Sequence, residues 1–158
     1  MAGVTRLVLA LQEISLPGDL PGECYLGLAL KSFFEKADIQ TLMVQMNQTQ
    51  LYDKMENRSG FHIERYKDKT LKHKIRHDLP IPFYSYYETG ATHESLEVFA
   101  DEDSVGIWPG ENAPEYAFLL DGSAWGLNNE HFEELCEEKK PQMADEIKKQ
   151  IRDFLTNG

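Results

Sequence analysis

The chain has 158 residues, 41% of them hydrophobic, 27% charged and 11% aromatic, with a formal net charge of −11. That length suits one globular domain over residues 1–158 with its own core, and the composition excludes wholesale disorder, collagen and membrane channels. Charge this negative repels phosphate backbones, so nucleic acid is not an expected partner, and two cysteines, Cys24 and Cys136, do not make a secreted disulfide framework.

Near the start, Arg6 precedes the apolar run Leu7-Val8-Leu9-Ala10-Leu11, which Gln12 and Glu13 close at once. No small-residue cleavage pattern follows, so the run does not read as a signal peptide. No stretch approaches the roughly 18 apolar residues of a membrane span. With two thiols and no export signal, the cytoplasm is the expected compartment and no membrane is an expected partner.

Residues 4–14 fit both helical spacing and strand alternation, and their good helix formers favour a helix. Pro17-Gly18 and Pro21-Gly22 then break the chain. A second helix is predicted from Gly22 or Glu23 to about Lys36, with Leu26, Leu30, Phe33 and Phe34 as its buried stripe. Asp38 is placed to cap a third helix carrying Ile39, Leu42, Met43, Met46 and, later, Met55; these methionines read as core filler. Short β-branched and aromatic runs follow at Phe61/Ile63, Phe83 to Tyr87, Leu96/Val98 and Val105/Ile107, and read as strands of a small sheet. Asn128 or Asn129 can cap a helix through Phe132, Leu135 and Cys136, and Pro141 should begin another with Met143, Ile147, Ile151, Phe154 and Leu155 on one face. The fold class that results is α+β: N-terminal helices, a small and mostly antiparallel central sheet, and C-terminal helices.

Motifs that carry chemistry are sparse. His73 and His77 stand at the spacing that puts two imidazoles on one helix face, but Lys74 occupies the place of a zincin's glutamate, and Lys72 and Arg76 repel a dication. No metal and no cofactor is expected. GxGxxG, GxxxxGK[ST] and GxSxG are all absent. Cys24 falls in the first turn of a predicted helix, where the dipole favours thiolate, and His93 enters a later strand. Cysteine at a helix start followed by such a histidine resembles the order in papain-like hydrolases, and the resemblance implies a cysteine hydrolase or transferase using Cys24 and His93. The pattern departs from that family in having no Gln just ahead of Cys24, and Glu23 opposes the thiolate. Asn128-Asn129-Glu130-His131-Phe132 is similar to the Asn-Cys-Glu-His-Phe segment of the lecithin:retinol acyltransferase family, with Asn129 where that family has its nucleophile. No catalytic role carries over, and a helix cap is the plainer reading.

The strongest one-signed feature is acidic. Residues 1–60 carry net −2, residues 61–77 net +4, and residues 78–158 net −13. Asp101-Glu102-Asp103 reads as a turn between strands, and Glu130, Glu133, Glu134, Glu137 and Glu138 as one acidic helix face, with Glu111 and Glu115 adding to it. Phe83, Tyr84, Tyr86, Tyr87, Trp108 and Trp125 lie between these acids, and exposed aromatics beside acids make a surface for a basic protein. The sequence therefore points to a small acidic interaction protein without catalysis of its own, in its most concrete form an inhibitor or immunity protein neutralising a basic toxin. Its expected contact residues are Asp101, Glu102, Asp103, Trp108, Glu111, Glu130, Glu134 and Glu138. The basic segment Arg65–Arg76 admits local contact with RNA, or pairs with the acidic half within the chain.

Overall fold

The computed structural model describes residues 22–102, 104–115, 117 and 124–157, the side chains of residues 22–25, 154 and 157 excepted. The helix expected over residues 4–14 lies outside them. Helix α1 (Gly22–Phe34) follows the Pro-Gly break as expected, and buries Ala29, Leu30, Phe33 and Phe34. Helix α2 (Ala37–Thr49) buries Ile39, Met43 and Asn47, which recur every fourth residue. The expected cap is corrected here: Lys36 is the N-cap, without a side-chain bond, and Asp38 sits in the first turn, where its charge suits the dipole. Beyond Thr49 the chain widens into a π-helical turn, Gln50–Lys54, and stops where Met55 adopts a left-handed φ of 53°.

The expected strands at Phe61/Ile63 and Phe83–Tyr87 do not form. Those segments meet only in isolated bridges, Glu56 with His62 and Arg65 with Phe83. Pro82 lacks the N–H that would continue the Arg65–Phe83 pairing past Tyr66, and on the other side Tyr86, with a φ of 53°, leaves the strand conformation. The segment is held by side chains instead. Helix α3 (Asp68–Arg76) is short and basic, yet its Lys74 is buried. The ammonium donates to the Tyr87 carbonyl, lies 3.4 Å from Glu88, and sits 4.7 Å from the centre of the Tyr66 ring. Part of the basic segment thus pairs within the chain. His73 adds a 2.7 Å contact to the same Glu88. Burial pushes the Glu88 carboxyl up, but the bonds from His73 and Lys74 outweigh it and hold the pKa below the usual value.

A four-residue helix, α4 (Ala91–Glu94), leads into β1 (Leu96–Ala100), which pairs antiparallel with β2 (Val105–Pro109). This is the two-stranded sheet of the α+β fold. Leu96 and Ile107 face the core, while Glu97 and Phe99 face outward. The turn joining the strands packs against α1 at Gly27, where a Cβ would stand 2.7 Å from the Glu102 carbonyl oxygen. Glycine is required there by close approach, not by turn geometry.

Helix α5 (Asn129–Asn157) runs unbroken through Pro141, which corrects the expectation of two helices. An interior proline costs about 3 kcal/mol. Past it, Met143 and Ile147 are buried on the stripe begun by Leu135, and Ile151 packs on the same core. Two buried side chains contribute roughly 3–6 kcal/mol, which outweighs the proline. Helix α1 lies along α5, with Phe34 stacked on Phe132. Ser32 and Lys36 both bond the buried Glu146 carboxylate, at 2.8 and 2.9 Å. Among the described residues no helix is long and apolar enough to cross a membrane.

Candidate functional site

The start of α5 is fixed by a buried polar cluster. Asn128 caps the helix by accepting the His131 N–H at 2.9 Å. Gln50, fully buried in the π-helical turn, accepts the Asn128 N–H at 2.9 Å and the His131 Nδ1–H at 3.2 Å. Its amide nitrogen donates to the carbonyls of Gly126 and Glu56, at 3.1 and 3.2 Å. Asn47 also donates to Gly126, at 2.8 Å. Gly126, whose carbonyl accepts from both amides, has φ near 109°, which an L side chain rarely tolerates. The Asn128–Phe132 segment is thus a helix cap, as its composition suggested.

Between this anchored segment and the β1–β2 hairpin lies a cleft of about 1070 Å³. One wall is Phe99 and residues 105–108; the other is Trp125, Gly126, Leu127, Asn129 and Phe132. Asp101 and Ser104 close it at the hairpin turn, with Arg58 and Ser59 nearby. Phe99 is 53% exposed and Trp108 39%. Trp125 is buried, and its indole N–H has no acceptor among the described residues.

The cleft brings together only some of the expected contact residues. Asp101 lines it, and its carboxylate accepts the Ser104 N–H at 2.6 Å and the Ser104 hydroxyl at 3.0 Å. Trp108 also lines it, and Glu102 and Glu130 are chain neighbours of lining residues. Asp103 lies outside the described residues. Glu111 is exposed in the turn after β2. Glu134 and Glu138 are one and two turns further down α5 than Glu130. Glu130 faces Lys54 at 3.6 Å and Glu138 faces Lys139 at 2.8 Å, while Glu134 is exposed. Of the other aromatics, Tyr84 and Tyr86 stack on one another, Tyr86 packs on Trp125, and Tyr87 meets Tyr52 and His93. Sequence reasoning missed Phe99, although it shares strand parity with the charged Glu97. It missed Arg58 and Asn129 as well, which no local signal marks.

No family model, curated protein or solved structure matches the chain. The cysteine–histidine pair must therefore be weighed on its own geometry. The Cys24 side chain lies outside the described residues. His93 sits just ahead of β1, as its place in the sequence implied, and is 4% exposed. Its Nε2–H donates to the Ser85 carbonyl at 2.8 Å, and its own carbonyl accepts from Gln48 at 2.7 Å. Burial lowers its pKa, the Ser85 carbonyl raises it, and the Lys74 charge lowers it further, for a net downward shift. His93 is thus a neutral imidazole tied to backbone. Burial and the nearby Glu137 and Glu133 carboxylates push the Cys136 thiol up to about 11, far from nucleophilic. The His73 and His77 rings are 4.5 Å apart, and among the described residues no three ligating side chains gather for a metal.

Proposed function

We propose that this chain is a small, cytoplasmic, acidic protein-binding module, of the inhibitor or immunity kind, that neutralises a basic protein partner. The observation carrying this reading is the cleft between the hairpin and the start of α5, with exposed Phe99 and Trp108 on one wall and Asp101 at its end. The sequence around it supports the charge assignment. From His77 to Glu138 there is no Lys or Arg, against fifteen Asp and Glu. Acids in such a run steer a basic partner toward the surface, and aromatic anchors hold it once docked.

The test begins with affinity capture from the native host, followed by stopped-flow association with the captured basic protein. Association should slow steeply as salt rises, because the Debye length falls to roughly 8 Å at about 0.15 M. Glu134→Lys with Glu138→Lys should slow the on-rate, and Trp108→Ala should speed dissociation about tenfold or more. The matched control, Glu13→Lys with Glu35→Lys, should do little. Equal losses from both pairs would show that only net charge is sensed, and association insensitive to salt would remove the electrostatic argument.

A further inference from the structure

The hairpin's hydrogen-bond phase is fixed by two bonds. The Asp101 N–H donates to the Ser104 carbonyl at 2.9 Å, and the Gly110 N–H to the Ser95 carbonyl at 2.6 Å. In an antiparallel ladder, bonded and non-bonded pairs alternate. With the observed register, Phe99/Gly106 and Glu97/Trp108 are therefore the bonded pairs. Val105 and Ile107 then direct their N–H and C=O groups away from β1. Among the described residues no strand pairs with that edge.

Exposed strand edges are usually blunted by lysines, prolines or covering segments. β2 has no lysine, and Pro109 lacks a donor only at its far end. The cleft borders β2, whose residues 105–108 line it consecutively, and also reaches Phe99 and Ala100 of β1 and Asp101 at the turn. A strand needs a spacing of about 4.8 Å from its neighbour, and the cleft has room for one.

We propose that the partner enters this cleft as an extended segment alternating basic and apolar residues, and adds a third strand to the edge of β2 that no described strand covers. The proposal rests on the acidic-module reading above and specifies how such a module would hold its partner. Side chains of the added strand alternate between two faces. Those on the outer face lie beside Trp108 and Gly106, where a Cβ on Gly106 would meet nothing within 4 Å. A long cationic side chain fits that open place, over an indole face and near Glu97 and Asp101. Those on the inner face meet Ile107 and Trp125, and are apolar. Main-chain bonds supply affinity and the alternation supplies selectivity, as in other strand additions.

The experiment is amide hydrogen exchange followed by NMR, with and without a synthetic Lys-Val-Lys-Val-Lys-Val-Lys peptide. Exchange at Val105 and Ile107 should slow by about tenfold or more, while Gly106 and Trp108, already bonded to β1, should change little. The peptide with Glu in place of Lys should not bind. Val105→Pro removes one outward N–H without touching the ladder, so the fold should persist by amide spectrum and affinity should fall about tenfold. Peptide binding without protection at Val105 and Ile107 would overturn strand addition, as would full affinity in Val105→Pro. Equal binding of the Glu peptide would overturn the charge selection. If the peptide fails but the captured basic protein binds in a salt-sensitive way, strand addition falls alone; if neither binds, the acidic-module reading falls with it.

Discussion

Replacing Glu146 by Gln tests the clamp between α1 and α5. The carboxylate is 4% exposed and accepts from Lys36 at 2.9 Å and Ser32 at 2.8 Å, with Lys149 and Gln150 at 3.5 Å. The Lys36 ammonium, aided by Ser32 and Gln150, outweighs burial and holds the Glu146 carboxyl at about 2, against an ordinary 4.5. A difference of that size corresponds to roughly 3 kcal/mol by linkage. The Lys36 side chain is 36% exposed, so solvent screening reduces the retained part to about 1–3 kcal/mol. Because the folded pKa lies below the unfolded one, the stabilisation is complete above about pH 5 and disappears as pH falls toward 2. Urea denaturation, followed by tryptophan fluorescence from pH 7 to pH 2.5, should therefore show Glu146→Gln less stable by about 1–3 kcal/mol at neutral pH. The gap should close in acid. Every other carboxylate is common to both proteins and cancels in the comparison. A gap that stays constant across the series would mean that shape, not ionisation, holds the two helices together.

Three further outcomes are expected. Gly27→Ala should destabilise the fold by about 1–3 kcal/mol in thermal or urea melts, because its methyl meets the Glu102 backbone rather than a movable side chain. Lys74→Met should cost about 1–3 kcal/mol, since the Tyr87 carbonyl and Glu88 lose their donor, and near-ultraviolet circular dichroism should report the loosened Tyr66 ring. Cys136, with its thiol raised to about 11, should alkylate with iodoacetamide at pH 8 about a hundredfold more slowly than a free thiol, as read by peptide mass spectrometry.

The parts of the fold legible in the sequence are those whose signal is local. Leu26, Leu30, Phe33 and Phe34 repeat at helical spacing and mark α1, and the two β-branched runs around Asp101–Asp103 mark the hairpin. Pro141 misleads because its cost is local while the burial that overcomes it, at Leu135, Met143 and Ile147, is set by α1 lying alongside. Helix α3 escapes notice for a related reason: its sequence shows charge, and only the carbonyl of Tyr87 and the ring of Tyr66, brought in from both sides, give Lys74 cause to be buried. At the site, Asp101 and Trp108 are legible as a turn acid and a strand aromatic. Their placement across from Trp125 and Asn129 depends on the amide cluster around Gln50, which joins positions 78 apart in the chain.

Gln50 has a mechanical consequence for that cleft. Its side-chain oxygen receives two hydrogens and its nitrogen delivers two, so neither atom has spare capacity. Moving the α5 jaw relative to α2 would break the three of these bonds that reach Gly126, Asn128 and His131 at once, in a place water does not reach, at a cost of about 1–3 kcal/mol for each group left without a partner. The hairpin jaw shows no comparable amide cluster among the described residues; it leans on α2 and α1 through apolar packing and, at its turn, on the bare backbone of Gly27. Widening of the cleft is therefore expected to come more from the hairpin side, with the Trp125–Phe132 jaw serving as the anvil against which an incoming chain is pressed.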